Sequence, residues 1–139
     1  MQTIIYILPE LFLSLSVMCL LMVGVFLKKS FKLVNLLTIF SLIFALALVL
    51  NQPNETIKVF NGSYIIDRFS IFMKVLTLLF CLLVLLSSRD YVKSNSLDKI
   101  EYPVIILSSI IGMIIMISSY DLIVFYLGLE LQSLCLYIL

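Results

Sequence analysis

The stretch DLIVFYLGLELQSLCLYIL, at residues 121–139, decides the fold class. It carries two carboxylates, Asp121 and Glu130, in a largely apolar run. The core of a bilayer is about 30 Å thick, and about 20 apolar residues of α-helix cross it. Four comparable runs lie at about 4–27, 33–50, 65–86 and 103–117. We therefore predict an all-α integral membrane protein, with about five transmembrane helices in a single domain over residues 1–139.

The composition excludes several other classes of protein. Of the 139 residues, 63% are hydrophobic and 12% are charged, whereas about 25% of the residues in a soluble domain are charged. A soluble fold and intrinsic disorder are both excluded. The net charge of +1 argues against nucleic-acid binding. Histidine is absent and Cys19, Cys81 and Cys135 lie far apart in apolar runs, so we expect no metal, haem or iron–sulfur site.

The distribution of basic residues predicts an orientation in the membrane. Six of the nine lysines and arginines fall in the first and third connections between the apolar runs. The positive-inside rule places these two connections on the cytoplasmic or matrix side. The N-terminus is then outside, and the fifth helix runs from outside to inside. The six residues are Lys28, Lys29, Lys32, Arg89, Lys93 and Lys99.

Glu130 is the strongest functional candidate. It lies nine residues beyond Asp121, which at ~1.5 Å per residue places it ~13.5 Å into the bilayer. Tyr126, Ser133 and Tyr137 share its helical face, and a carboxylate flanked by hydroxyls near the midplane fits a proton relay. Charged residues inside membranes cost several kcal/mol and commonly mark ion or proton pathways. The alternative is a carboxylate that pairs with another helix and only fixes packing.

Lys74 is a second charged residue within an apolar run. Asp67, Ser70, Thr77 and Cys81 share its helical face. Lys74 could therefore belong to a proton path, or be the ion-pair partner of Glu130 or of a carboxylate on a segment outside this sequence. The alternative is a lysine that serves packing by pairing with a carboxylate, or that extends toward the membrane interface.

Two further carboxylates lie at predicted helix ends. Glu10 follows Pro9, which either starts or bends the first helix. We expect Glu10 to stabilise a helix N-terminus through the helix dipole. Asp121 follows two serines between the fourth and fifth runs, and we expect it to cap the fifth helix.

Two pairs of residues have structural explanations. Asp67 and Arg68 begin the third run, and we interpret them as anchors at the membrane interface. Ser108 and Gly112 are small residues four apart in the fourth run. Their spacing indicates close packing against another membrane helix.

Five stretches, taken in order, resemble subunit 2 of respiratory complex I, the proton-translocating NADH:ubiquinone oxidoreductase. The resemblance is most specific at residues 120–134, which contain Glu130. The stretches are LPELFL at 8–13, DRFSIFMKVL at 67–76, EYPVIILSSIIGM at 101–113, MISSYDL at 116–122 and FYLGLELQSL at 125–134.

The resemblance implies the N-terminal portion of an antiporter-like helical bundle. It implies that Glu130 pairs with a lysine further along the chain and takes part in proton transfer. The subunit itself carries no cofactor, since NADH, flavin, iron–sulfur clusters and ubiquinone bind elsewhere in the complex. Implied partners are the other membrane-arm subunits and membrane lipids, and no nucleic acid. The implied location is the mitochondrial inner membrane with the N-terminus facing the intermembrane space, or alternatively a bacterial plasma membrane.

Members of this family are several times longer than 139 residues, with two inverted repeats of helices. We expect either a split subunit, with a separate chain that carries the remaining helices, or a truncated product; the split is the simpler expectation. The predicted function is that of an N-terminal piece of a membrane subunit of NADH:ubiquinone reductase, with no redox centre, contributing to a proton half-channel. The alternatives are a small stand-alone proton-coupled transporter and a purely structural subunit.

Overall fold

The computed structural model describes residues 2–27, 31–96 and 99–139. Four helices within these ranges are long and apolar enough to cross a membrane, and a fifth apolar helix has 17 residues. The predicted all-α membrane fold is thus confirmed, with one small β-hairpin added. The elements are α1 (Gln2–Tyr6), α2 (Leu8–Phe26), α3 (Phe31–Leu50), β1 (Ile57–Val59), β2 (Tyr64–Ile66), α4 (Arg68–Ser94), α5 (Glu101–Ser118) and α6 (Leu122–Ile138).

The first predicted helix is divided in two. The chain leaves the α-helical hydrogen-bonding pattern at Ile7, and Pro9 lies in the first turn of α2. Proline is favoured there because its missing N–H is one that the first turn of a helix leaves unpaired in any case. Pro9 therefore starts the long helix rather than bending it.

The predicted bounds of the third helix are wrong at both ends. Ile65 lies in β2, and α4 begins only at Arg68, after Asp67. The Asp67 carboxylate accepts a hydrogen bond from the Ser70 N–H, and the Ser70 hydroxyl accepts one from the Asp67 N–H. This reciprocal capping box fixes where the helix starts. At its other end α4 continues to Ser94, since a helix need not stop where its apolar run stops.

The connection between α3 and α4 forms an antiparallel hairpin, whose second strand overlaps the start of the apolar run predicted as a helix from residue 65. Ile57 pairs with Ile66, and Val59 pairs with Tyr64. Asn61 and Gly62 both have positive φ, 56° and 88°. This left-handed backbone suits the twist of a tight hairpin turn, and glycine and asparagine adopt it most readily.

The α5 helix occupies the centre of the bundle. It packs against α2, α3, α4 and α6. The core is apolar, and the outward faces of the helices also carry large exposed apolar side chains, as expected of surfaces that meet lipid or other membrane helices. Fully buried core residues include Leu13, Leu42, Leu78, Leu107 and Ile110.

The two ends of the bundle carry different connections. At one end, the Gln52 side-chain amide donates to the Tyr6 carbonyl, over 2.8 Å, and the Tyr120 N–H donates to the Ser63 carbonyl, over 2.9 Å. The N-terminus, the hairpin and the α5–α6 link therefore lie together. Gly24, near the end of α2, lies against Ile100 at the start of α5. The end of α2 and the start of α5 thus share the opposite end of the bundle, which is the arrangement that the predicted topology requires. Lys28 and Lys29 lie outside the described residues.

Candidate functional site

Glu130 lies on a face of α6 that the other described helices leave largely uncovered. Its side chain is half-buried, and it interacts with the exposed side chain of Tyr126 one helical turn earlier. The Ser133 hydroxyl donates to the backbone carbonyl of Glu130, over 3.1 Å, rather than to its carboxylate. Tyr137 is 83% exposed. The helical face that Glu130 shares with Tyr126, Ser133 and Tyr137 therefore points away from the bundle. The role of these residues in proton transfer stays a prediction.

A buried ionic cluster joins α2, β2 and α4. The Lys74 ammonium lies 2.6 Å from Glu10 Oε1 and donates to it. The Tyr64 hydroxyl donates to the same oxygen, over 2.5 Å, and accepts from Lys74 over 3.3 Å. The Lys74 nitrogen also lies 5.3 Å from the centre of the Tyr64 ring. These contacts form a closed triangle of three side chains that belong to three different elements.

Burial makes this cluster costly unless its charges are paired. Lys74 is completely buried and Glu10 is 7% exposed, and an unpaired buried charge costs several kcal/mol. Burial and the adjacent Glu10 carboxylate raise the pKa of Tyr64, so the phenol stays protonated and can donate. The second carboxylate oxygen of Glu10 is buried and has no hydrogen-bonding partner among the described residues.

The partner of Lys74 is therefore Glu10, and the hypothesis that Lys74 pairs with Glu130 is wrong for the described part of the chain. Glu10 also lies in the first turn of α2, where the helix dipole favours it. The sequence contained only a weak signal for the pair. Glu10 lies ~3 Å beyond the start of α2 and Lys74 ~9 Å beyond the start of α4, at the same end of the bundle. Glu130, ~12 Å beyond the start of α6, is as close in depth to Lys74, so depth alone does not identify Glu10.

Tyr64 was not predicted from the sequence as a member of this cluster. Its position in β2 opposite Val59 directs the side chain inward, where it is 5% exposed. The Ser118 hydroxyl, at the end of α5, lies beside the Tyr64 phenol at longer range than a hydrogen bond. The alternation of apolar and other residues around Asn61-Gly62 was the available signal for a hairpin.

Two further residues fix where α6 begins and where it lies. Asp121 is the N-cap residue of α6, and its carboxylate accepts a long hydrogen bond, 3.5 Å, from the Ile123 N–H. Further along, Gly128 of α6 packs on Gly112 of α5. Ser108, the other small residue of α5, is half-buried and donates to the carbonyl of Val104 in its own helix.

The cysteines and carboxylates of the described ranges form no metal site. Among residues 2–27, 31–96 and 99–139, no group of three such side chains could hold a metal ion.

Comparison with known proteins gives one family match and a consistent set of relatives. The family model described as "NADH-ubiquinone oxidoreductase chain 4, amino terminus" matches residues 11–97. "NADH-quinone oxidoreductase subunit N" of Pelagibacter ubique is 51% identical over 100% of this chain, and 30% of the relative is covered. The subunit N proteins of Paramagnetospirillum magneticum and Rhodospirillum rubrum are 42% and 46% identical over 96% and 95% of this chain. In both cases 28% of the relative is covered.

A solved structure supports the fold. A chain of respiratory complex I from Thermus thermophilus superimposes with a TM-score of 0.78 over 94% of this chain and 28% of that chain, at 24% identity. The chain described here thus spans less than a third of the length of these proteins.

Proposed function

Because the chain belongs to the family of NADH-ubiquinone oxidoreductase chain 4 amino-terminal sequences, we propose that it is the N-terminal part of an antiporter-like membrane subunit of a proton-pumping NADH:quinone oxidoreductase. The observation that carries this proposal is the match of the whole chain to one 30% portion of subunit N at 51% identity. The matching region includes Glu130, the acid of the α6 face. Subunit 2, named by the sequence resemblance, is the more specific form of this proposal.

In the proposed mechanism, Glu130 binds and releases a proton as its electrostatic surroundings change. An ammonium group that approaches the carboxylate favours its ionised form, and withdrawal of that group favours the protonated form. Lys74 does not supply this cation, because it is held by Glu10. We therefore propose that a lysine on helices beyond α6 supplies it. Movement of one proton against a membrane potential of 100 mV requires ~2.3 kcal/mol. The oxidation of NADH elsewhere in the complex would provide this free energy.

The uncovered face of α6 supports this proposal. Tyr126 and Tyr137 are exposed beside the half-buried Glu130, so helices that pack there would enclose the acid together with its hydroxyl neighbours. Those helices correspond to the remaining length of the relatives, whether on the same polypeptide or on a separate one. The other membrane-arm subunits and lipids are further proposed partners, and NADH, flavin, iron–sulfur clusters and quinone would bind elsewhere in the complex.

The proposed location follows the relatives. The relatives named above are bacterial, which favours the plasma membrane over the mitochondrial inner membrane. The basic first and third connections favour an N-terminus on the outer side.

The test is a Glu130→Gln substitution in membrane vesicles that contain the assembled complex. We expect the rate of proton transfer through this subunit to fall at least about tenfold, so that the number of protons pumped per NADH oxidised falls by the share that this subunit carries. Glu55→Gln is the matched control, since Glu55 is an exposed carboxylate outside the helices. Unchanged pumping in Glu130→Gln would support the purely structural alternative. A chain that migrates on native gels as a small homodimer would support the stand-alone transporter.

A further inference from the structure

We propose that Glu10, Tyr64 and Lys74 are positioning residues for Glu130. Their buried cluster holds the hairpin against α2 and α4, and the hairpin holds the start of α6. This inference rests on the proposed proton transfer at Glu130, because it assigns to the cluster the task of setting where that acid lies.

The cluster is the first step in this chain of contacts. It joins three separate elements through one carboxylate oxygen, Glu10 Oε1, which accepts from both Lys74 and Tyr64. All three side chains are more than nine-tenths buried. A buried charge that loses its partner is strongly unfavourable, so the three elements cannot separate at this point without a large cost. Tyr64 is consequently fixed relative to both long helices.

The second step leads from Tyr64 to the link between α5 and α6. The backbone of Tyr64 forms an antiparallel bridge with Ser119. The Tyr120 N–H donates to the carbonyl of Ser63, over 2.9 Å, and the Lys58 ammonium lies 5.9 Å from the centre of the Tyr120 ring. The hairpin therefore contacts two of the three residues that separate α5 from α6.

The third step leads from the link to Glu130. The α6 helix begins at Leu122, shortly after the two residues that the hairpin contacts. Glu130 lies just over two turns into this helix. Gly128 lies in close backbone contact with Gly112 of α5. Because a short helix moves as one body through its backbone hydrogen bonds, a shift at the start of α6 is passed to Glu130. Proton transfer is sensitive to displacements of about 1 Å, so the cluster would affect transfer without contact with the acid.

The experiment uses Tyr64→Phe, which removes one hydroxyl group, and Glu10→Gln in the complete complex. Two quantities are measured on equal amounts of assembled complex. The first is the ratio of protons pumped to NADH oxidised. The second is the set of carboxyl infrared bands of Glu130, identified as those lost in Glu130→Gln. Tyr91→Phe is the matched control, because Tyr91 is an exposed tyrosine on the opposite part of α4.

We expect both cluster variants to shift the Glu130 bands and to slow proton transfer through this subunit about threefold or more, seen as a pumping ratio that falls toward that of Glu130→Gln, with no change in Tyr91→Phe. A cluster that only stabilises the fold would lower the amount of assembled complex and leave both readouts unchanged, which would overturn the proposal. If Glu130→Gln leaves pumping intact, the proposed function fails, yet the bands still report whether the cluster sets the surroundings of Glu130.

A charge reversal keeps the test decisive where a single variant assembles poorly. Glu10→Lys combined with Lys74→Glu retains an ion pair between α2 and α4. We expect this double variant to restore the Glu130 bands and the pumping ratio toward the wild-type values relative to Glu10→Gln. Failure of the reversal to restore either readout, in assembled complex, would contradict the positioning role.

Discussion

Gly112 of α5 and Gly128 of α6 lie in backbone contact. A Cβ atom added to Gly112 would stand 2.8 Å from the Gly128 carbonyl oxygen and 2.9 Å from the Gln132 backbone nitrogen. Helices in membranes associate through close van der Waals packing, which small residues allow. The contact sets the separation of the two helices within two residues of Glu130.

We expect Gly112→Ala to destabilise the chain by about 1–3 kcal/mol, because the new methyl group meets backbone atoms that can move only with the whole helix. The measurement is the temperature at which half of the chain aggregates in detergent-solubilised membranes. Ser108→Ala is the control on the same helix, since it removes only a hydroxyl that is hydrogen-bonded to the Val104 carbonyl within α5. A Gly112→Ala variant that is as heat-stable as Ser108→Ala would show that the helices separate easily.

The Glu10–Lys74 pair leads to a prediction about charge rather than volume. Glu10→Gln leaves the completely buried Lys74 ammonium without a counter-charge, and loss of one partner of such a pair costs about 3–5 kcal/mol. Glu10→Gln combined with Lys74→Met removes both charges, and we expect it to be more stable than Glu10→Gln alone. The same aggregation assay measures both. A double variant that is less stable than Glu10→Gln would mean that the ion pair itself, and not the orphaned charge, dominates.

The two capped helices allow a comparison of strong and weak caps. Asp67 forms a reciprocal capping box with Ser70, with a 2.7 Å hydrogen bond, whereas the exposed Asp121 accepts over 3.5 Å. We expect Asp67→Ala to cost about 1 kcal/mol, within the usual range for caps, and Asp121→Ala to cost less than half of that. Aggregation temperatures of the two variants provide the test, with Glu55→Ala as an exposed control. Equal losses would show that the distance of the cap hydrogen bond does not control its contribution.

The sequence predicted the features that depend on local patterns. Long apolar runs identified the membrane helices, and the small residue at Gly112 indicated close packing, because both signals lie within one helix. The hairpin was missed because only Asp67 and Arg68 separate the apolar residues Ile65 and Ile66 from the apolar run of α4. Hydrophobicity alone does not distinguish a buried strand from the start of a helix. The Asn61-Gly62 turn carried the missing information.

The ion pair of Glu10 and Lys74 could not be found from helical periodicity, since its members are 64 residues apart. A buried lysine can pair with any of several carboxylates. The packing of the helices decides which one it meets, and packing is a property of the whole bundle. Depth in the membrane would not have decided the choice, because Lys74, ~9 Å from the start of its helix, lies between Glu10 at ~3 Å and Glu130 at ~12 Å. The pairing therefore had to come from the packed structure.

The orientation of the bundle is open to a direct test with single cysteines. Lys58 of the hairpin and Lys93 of the last turn of α4 are both exposed and lie at opposite ends of the bundle. In a background where Cys19, Cys81 and Cys135 are replaced by alanine, we expect Lys58→Cys to react with a membrane-impermeant thiol reagent in intact cells. Lys93→Cys should react only after the membrane is opened, because the basic connections lie inside. The reverse pattern would invert the topology and place the Glu10, Tyr64 and Lys74 cluster at the cytoplasmic end, on the opposite side of Glu130 from the outer surface.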